Sequence, residues 1–257
     1  MVNVLITGCR GGIGLNVAER LLKKGNKVYV TIHKKDSIDE IKVKLKKYKN
    51  AVIEKLDLLN DSDIKKVEKW EIDILINNAA IGNSGPLAEI PLKKIREVFE
   101  TNVFSTLKLT QKVLKKMIPK KSGRIIFVSS IAGLIPTPFL SPYAMTKFSL
   151  ENIIFSLRDE LKPFNINVIA INPGAYNTGF NQKNINKKYE WLNKKGLYKD
   201  NLKQIKNSEK NLLRFELKNT DSIAKEIVKA TLAKNPKRRY SAPWWQYISV
   251  PFFRWFF

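Results

Sequence analysis

The sequence predicts an α/β domain built on a doubly wound parallel sheet with helices on both faces. Two observations carry this: short β-branched runs alternate with amphipathic segments to about residue 235, and a glycine-rich turn follows the first run directly. The strand-like runs are 2–7, 27–32, 51–56, 72–76, 123–128 and 166–171. Segments 13–24, 61–69, 92–117 and 143–162 carry apolar residues at helical spacing with Lys and Glu outward. At 257 residues the chain fits one large domain, 1–257, and no repeat or flexible linker divides it.

Two stretches break the rhythm. From about Asn177 to Lys218 the chain is polar and rich in Lys and Asn, with isolated Phe180, Tyr189, Trp191, Leu192 and Tyr198. A long insertion after a late strand reads as a lid over a substrate. The tail 240–257 is strongly aromatic, with Trp244, Trp245, Tyr247, Phe252, Phe253, Trp255, Phe256 and Phe257. So much apolar surface does not hang free in water. Either it packs over the pocket or a partner subunit, or it lies in a membrane interface with Lys237, Arg238, Arg239 and Arg254 at the headgroups.

Composition excludes several classes. The chain is 44% hydrophobic and 10% aromatic, as in a folded globular protein. No run of about 18 apolar residues predicts a spanning helix. Val2 to Ile6 reads as a buried strand rather than a leader. One cysteine, Cys9, and one histidine, His33, leave no disulfide framework and no metal-ligand spacing, so no metal is expected. Together these place the chain in the cytoplasm, with the membrane surface as the alternative. The net charge of +24 is spread along the chain and dominated by Lys, which reads as a solvated basic surface. No module of clustered Arg with interleaved aromatics points to specific nucleic acid.

The glycine loop Thr7-Gly8-Cys9-Arg10-Gly11-Gly12-Ile13-Gly14 lies between the first strand and the first helix. Gly8 permits the tight turn, Gly12 lets backbone approach a pyrophosphate, and Gly14 lets the helix pack on the strand. The helix N-terminus then offers N–H groups and a positive dipole end. At the end of the second strand an acid would hold a ribose 2′-hydroxyl and repel a 2′-phosphate. Ile32 stands there instead, followed by His33, Lys34 and Lys35, and Arg10 adds a cation from the loop. This favours NADP(H) over NAD. His33 reads equally well as a solvated strand-end residue, and Cys9 as a small filler.

The strand 123–128 ends in Ser129-Ser130, and Tyr143-Ala144-Met145-Thr146-Lys147 begins thirteen residues after Ser130. On a helix, i,i+4 spacing puts Tyr143 and Lys147 on one face. A nearby ammonium favours phenolate, so Lys147 is expected to lower the Tyr143 pKa. Tyr143 would exchange a proton with a substrate oxygen, and Ser130 would donate a hydrogen bond to the same oxygen. Thr137 to Leu140 reads as the substrate mouth or as a plain loop.

With these residues assembled, the chain resembles the short-chain dehydrogenase/reductases of the single-domain type, over nearly its whole length. Thr7 to Gly14 matches the family's TGxxxGxG pattern. The resemblance implies a Rossmann-type sheet and carries roles onto further positions. Asp57, with Leu58 beside it, is similar to the acid that bonds the adenine amino group. Asn77-Asn78-Ala79-Ala80 resembles the NNAG motif, with Ala80 standing for its glycine. Asn102 resembles the helix asparagine that holds a water in the proton relay. Ser130, Tyr143 and Lys147 match the catalytic trio, Lys147 also binding the nicotinamide ribose. Pro173, Gly174 and Thr178 resemble the PGxxxT segment that holds the carboxamide. The family also implies B-face transfer and a homodimer or homotetramer built on the helices after strands four and five. The expected reaction is NADP(H)-dependent carbonyl–alcohol interconversion on an apolar ketone, aldehyde or steroid-like substrate. The alternative is an idle NADP-sensing or membrane-surface binder, against which the full Asn102/Ser130/Tyr143/Lys147 set argues.

Overall fold

The computed structural model describes residues 1–34, 37–192, 195–248 and 250. Lys35 and the tail residues from Pro251 to Phe257 lie outside them. In chain order the strands are β1 (Asn3–Ile6), β2 (Lys27–Ile32), β3 (Ala51–Lys55), β4 (Ile74–Asn77), β5 (Gly123–Val128), β6 (Ile166–Pro173) and β7 (Arg239–Ala242). The helices are α1 (Gly12–Lys23), α2 (Ile38–Leu45), α3 (Asp61–Lys66), α4 (Leu92–Phe99), α5 (Ser105–Lys120), α6 (Ser141–Glu160), α7 (Phe180–Lys188), α8 (Leu202–Arg214) and α9 (Asp221–Leu232).

All seven strands pair in parallel in the order β3-β2-β1-β4-β5-β6-β7. The chain winds outward from β1 in one direction and from β4 in the other, so the switch point lies between them, beyond their C-terminal ends. Successive strand residues face opposite sides, and both sides are buried. Val4, Ile6, Val28 and Val30 pack with Val17 and Leu21 of α1 and with Ile223 and Ile227 of α9. Leu5, Leu75, Ile125 and Phe127 pack with Leu109 and Val113 of α5 and with Leu150 and Ile154 of α6. Each such fully buried side chain contributes roughly 1.5–3 kcal/mol.

Two expectations change, over 92–117 and at the tail, and the insertion at 177–218 gains detail. The segment 92–117 is not one helix: a π-helical turn, Glu100–Phe104, separates α4 from α5 and carries buried Asn102. The lid contains two helices, α7 and α8. The tail does not begin at Tyr240, because Tyr240 to Ala242 belong to β7 and pair with β6, with Tyr240 buried. Arg239 points inward to Glu151 and Asn172 rather than to headgroups, and Lys237 and Arg238 sit at the far end of β7 from Trp244.

Candidate active site

The site is built at the C-terminal ends of β1, β4, β5 and β6. Gly8 and Gly12 have φ of +75° and +55°, the left-handed region that glycine adopts without strain. A Cβ on Gly8 would sit 2.8 Å from Ala79 Cα, and one on Gly14 would sit 2.6 Å from Asn78 Nδ2. The glycine loop therefore nests directly on the Asn78–Ala79 segment after β4. Thr7 clamps the two together: its hydroxyl accepts the N–H groups of Asn78 (3.0 Å) and Ala79 (2.9 Å), while Asn78 Nδ2 donates to Thr7 O at 2.8 Å.

α1 starts after Gly11 with no side-chain cap and no acid in its first turn, so its N-terminal N–H groups and dipole remain for an anion. Thr178 approaches the same loop, 3.2 Å from where a Gly12 Cβ would be. Ile13 packs half-buried on the core. These residues fit a dinucleotide pyrophosphate, held by the loop and the α1 N-terminus.

The second-strand corner also converges. Ile32 is buried, and exposed His33 lies in the fields of Asp57, Lys34 and Arg10. Partial burial lowers the His33 pKa, Asp57 opposes this, and the two cations add to it. This holds His33 toward its neutral form, beside the Arg10 and Lys34 cations. Asp57 Oδ1 accepts Leu59 N–H at 3.0 Å, and Leu58 is buried beside it. Pro173 ends β6, and Gly174 N–H donates to Ala242 O at 2.9 Å. The Gly174–Thr178 segment is thus tied to β7 and to Gln246, whose Oε1 accepts Ala175 N–H.

Ser130, Tyr143 and Lys147 meet as the spacing required. Ser130 Oγ accepts Ala132 N–H at 3.1 Å, and the Ser130 hydroxyl lowers the Tyr143 pKa against burial. Lys147 Nζ donates to Val128 O at 2.8 Å and lies 5.4 Å from the Tyr143 ring centroid. Burial acts on both groups. It pushes the Tyr143 hydroxyl up to about 12, with the Ser130 bond opposing, and brings the Lys147 ammonium down to about 8, with Glu151 opposing. The expectation that Lys147 lowers Tyr143 is corrected here: desolvation raises the phenol, and the group that opposes it is Ser130, not the Lys147 cation. Cys9 is a buried filler, its thiol pushed up to about 12 by burial and its Sγ turned to Ile6 O.

Asn102 holds Ile81 from both sides: Oδ1 accepts Ile81 N–H at 2.9 Å and Nδ2 donates to Ile81 O at 2.8 Å. Its second amide hydrogen goes to Thr146 Oγ1 at 3.1 Å, beside Tyr143 on α6. The amide is fully engaged by protein. The π turn on which it sits is a feature often found at functional sites.

The loop after Ile81 seats the lid. A Cβ on Gly82 would collide with the Asn184 amide, and one on Gly85 with the Trp191 indole. Ser84 Oγ donates to Asn184 O, Lys187 Nζ to Gly82 O (3.0 Å) and Trp191 Nε1 to Ser84 O (2.9 Å). Phe180 of α7 then covers the Tyr143 ring at 5.2 Å, and Phe139 meets Tyr198 edge-on at 5.7 Å.

Sequence reasoning missed one group. Asn172 Nδ2 donates to Ser130 O (2.9 Å) and Glu151 Oε1 (2.7 Å), and Arg239 bonds both Asn172 Oδ1 (2.5 Å) and Glu151 Oε2 (2.7 Å). The i,i+4 spacing of Lys147 and Glu151 was the only local signal for it.

Comparisons with known proteins agree with this geometry. The family described as short chain dehydrogenase matches residues 2–189. The NADPH-dependent 3-dehydrocapnine reductase of Ornithobacterium rhinotracheale is 29% identical, over 92% of this chain and 86% of its own length. Human retinol dehydrogenase 8 is 34% identical over 70% of this chain, which spans only 60% of that protein. Human 17-beta-hydroxysteroid dehydrogenase type 1 is 29% identical, with 92% of this chain and 76% of that protein covered. A short-chain dehydrogenase from Streptomyces avermitilis shares the fold at a TM-score of 0.78 and 23% identity, covering 99% of this chain and 92% of that one. The chain belongs to the short-chain dehydrogenase/reductase family, oxidoreductases that interconvert carbonyls and alcohols.

Proposed function

We propose that this chain is an NADP(H)-dependent reductase of an apolar ketone or aldehyde, with Tyr143 as the acid. The carrying observation is Tyr143 with the Lys147 ammonium 5.4 Å from its ring centroid, Phe180 5.2 Å away over the ring, and Ser130 near enough to lower its pKa. Bound NADPH supplies the hydride. Ser130 orients the substrate oxygen, and Tyr143 gives that oxygen its proton as charge develops on it. A phenol lifted to about 12 is protonated at neutral pH, which suits the reductive direction. The Lys147 cation over the ring stabilises the phenolate left behind. Asn102 holds Ile81 and Thr146 on either side of this centre.

Arg10 and Lys34 support the 2′-phosphate, as does the name of the 3-dehydrocapnine reductase. Phe139, Phe180 and Tyr198 support an apolar substrate, in keeping with relatives named for retinol and a hydroxysteroid. NADPH oxidation against long-chain and short polar carbonyls tests the reading: turnover on the apolar set is expected, and a preference for polar sugars overturns it. A homodimer or homotetramer completes the proposal, read by light scattering.

Surface contact with a bilayer is a second role, favoured by one observation. Trp244, Ile248 and Phe215 are 69%, 63% and 59% exposed, and Trp245 links them through its ring contact with Phe215 at 6.3 Å. Among the described residues no helix is long and apolar enough to cross a membrane, so contact would be peripheral. Sedimentation with anionic vesicles, lost in the Trp244→Ser/Ile248→Ser double variant, is the expected result; equal sedimentation of both proteins removes this role.

A further inference from the structure

We infer that Arg239, Glu151 and Asn172 are positioning residues that fix the backbone of Ser130 and supply a regulated negative charge to Lys147. This rests on the catalytic reading of Ser130 and Lys147 and adds three side chains to it, from β7, α6 and β6.

The geometry is a closed ring of charge-assisted bonds. Arg239 reaches in from the edge strand with Nη1 on Asn172 Oδ1 (2.5 Å) and Nη2 on Glu151 Oε2 (2.7 Å). Asn172 Nδ2 bridges Glu151 Oε1 (2.7 Å) and Ser130 O (2.9 Å). Both carboxylate oxygens, both polar ends of the Asn172 amide and both Arg239 Nη groups are therefore used within one partly buried cluster. Such bonds are shorter and more directional than neutral ones. Ser130 is gripped at its carbonyl by Asn172 and at its hydroxyl by Ala132 N–H.

The second arm is electrostatic. Glu151 is one helical turn beyond Lys147 on α6, and its carboxylate raises the Lys147 pKa against the larger lowering by burial. The charges around Glu151 are Arg239 from β7, Lys147 and Arg158 from α6, and Arg238, which acts with Arg239 on Arg158. Ser129 and Ser130, at the end of β5, add no charge. Glu151 is paired with Arg239 and acts on Lys147 only through space, so the strength of the field at Lys147 depends on the Arg239 ion pair.

This arrangement makes two substitutions act in opposite directions. Glu151→Gln keeps an oxygen for Asn172 and removes the charge, so Lys147 should titrate at lower pH. Arg239→Gln frees the Glu151 charge, so Lys147 should titrate at higher pH. The side-chain resonances of labelled lysine, with Lys147 assigned by Lys147→Arg, read both shifts on folded protein without needing turnover. Opposite shifts support the inference. Two unchanged midpoints, or two shifts of the same sign, overturn it and leave the ring as plain sheet–helix packing. The reductase reading fails separately, if wild-type protein does not oxidise NADPH in the presence of any of the carbonyls tested. Where Arg239→Gln does not fold, Arg239→Lys replaces it, with wild-type-like titration expected and a downward shift of the Glu151→Gln kind counting against the inference.

Discussion

Lys147 Nζ sits 5.4 Å from the Tyr143 ring centroid while its own bond runs to Val128 O. Ser130, not Lys147, is the group that lowers the Tyr143 pKa against burial. If Tyr143 is the acid, as proposed, Tyr143→Phe should remove proton transfer while sparing the ring contacts with Phe180 and Lys147. Reductive kcat should fall by about 10²–10⁴-fold. NADPH affinity, followed by cofactor fluorescence, should stay near the wild-type value.

The same pair predicts a pH profile. Lys147 loses its proton above about 8, whereas Tyr143 keeps its own to about 12. Between these values the acid remains loaded but the cation that stabilises its phenolate disappears. Reductive kcat should therefore be flat up to about pH 8 and decline above it, and Lys147→Met should start low and lack that limb. Initial rates between pH 6 and 10 decide this; a wild-type profile flat throughout removes Lys147 from the mechanism.

The parts of this site that lie close in sequence were legible from it. The glycine loop, the strand-end Ser130 and the Tyr143–Lys147 pair each follow from local spacing on one element. The Arg239–Glu151 pair joins positions 88 residues apart, and no periodicity announces it. Strand β7 is hidden for a related reason. Its four residues, Arg-Tyr-Ser-Ala, follow a basic run and precede Pro243 and two tryptophans, so composition merges it with the tail. The π turn at Asn102 is invisible because 92–117 keeps a helical apolar period through it. The sign of the Tyr143 shift was missed because spacing reports a neighbour but not the desolvation that outweighs it.

Cofactor choice should follow the cations at the β2 corner. His33 is held toward its neutral form, so Arg10 and Lys34 carry the charge that meets a 2′-phosphate. Arg10→Ala should raise KM for NADPH about tenfold, the loss of roughly 1.4 kcal/mol from one charged contact. KM for NADH should not move, and parallel titrations with the two cofactors read the difference.

Lid seating should depend on Gly85, whose φ of +155° and whose closeness to the Trp191 indole both exclude a side chain. Gly85→Ala should unseat Trp191 and with it the cover that Phe180 places over Tyr143. KM for an apolar carbonyl should rise about tenfold, matching roughly 1.4 kcal/mol of lost closure. Cofactor affinity should hold, and limited proteolysis should cut faster within 177–218.

Stability in acid should turn on Asp63, which anchors the β3–α3 corner that carries Asp57. Its carboxylate is buried, which alone would raise its pKa, yet bonds from Lys55 (2.7 Å), Lys66 (2.7 Å) and Asp57 N–H (3.0 Å) bring it down to about 2. A folded pKa below the ordinary 3.8 means the unfolded chain takes up the proton first. The contribution is therefore complete above about pH 4 and disappears as pH falls through about 2, amounting to about 2 kcal/mol. Asp63→Asn should lower Tm at pH 7 by roughly 4–8 °C. At pH 2 its Tm should approach that of the wild type, and a gap as wide there as at pH 7 would mean that packing, not the charge, holds the corner.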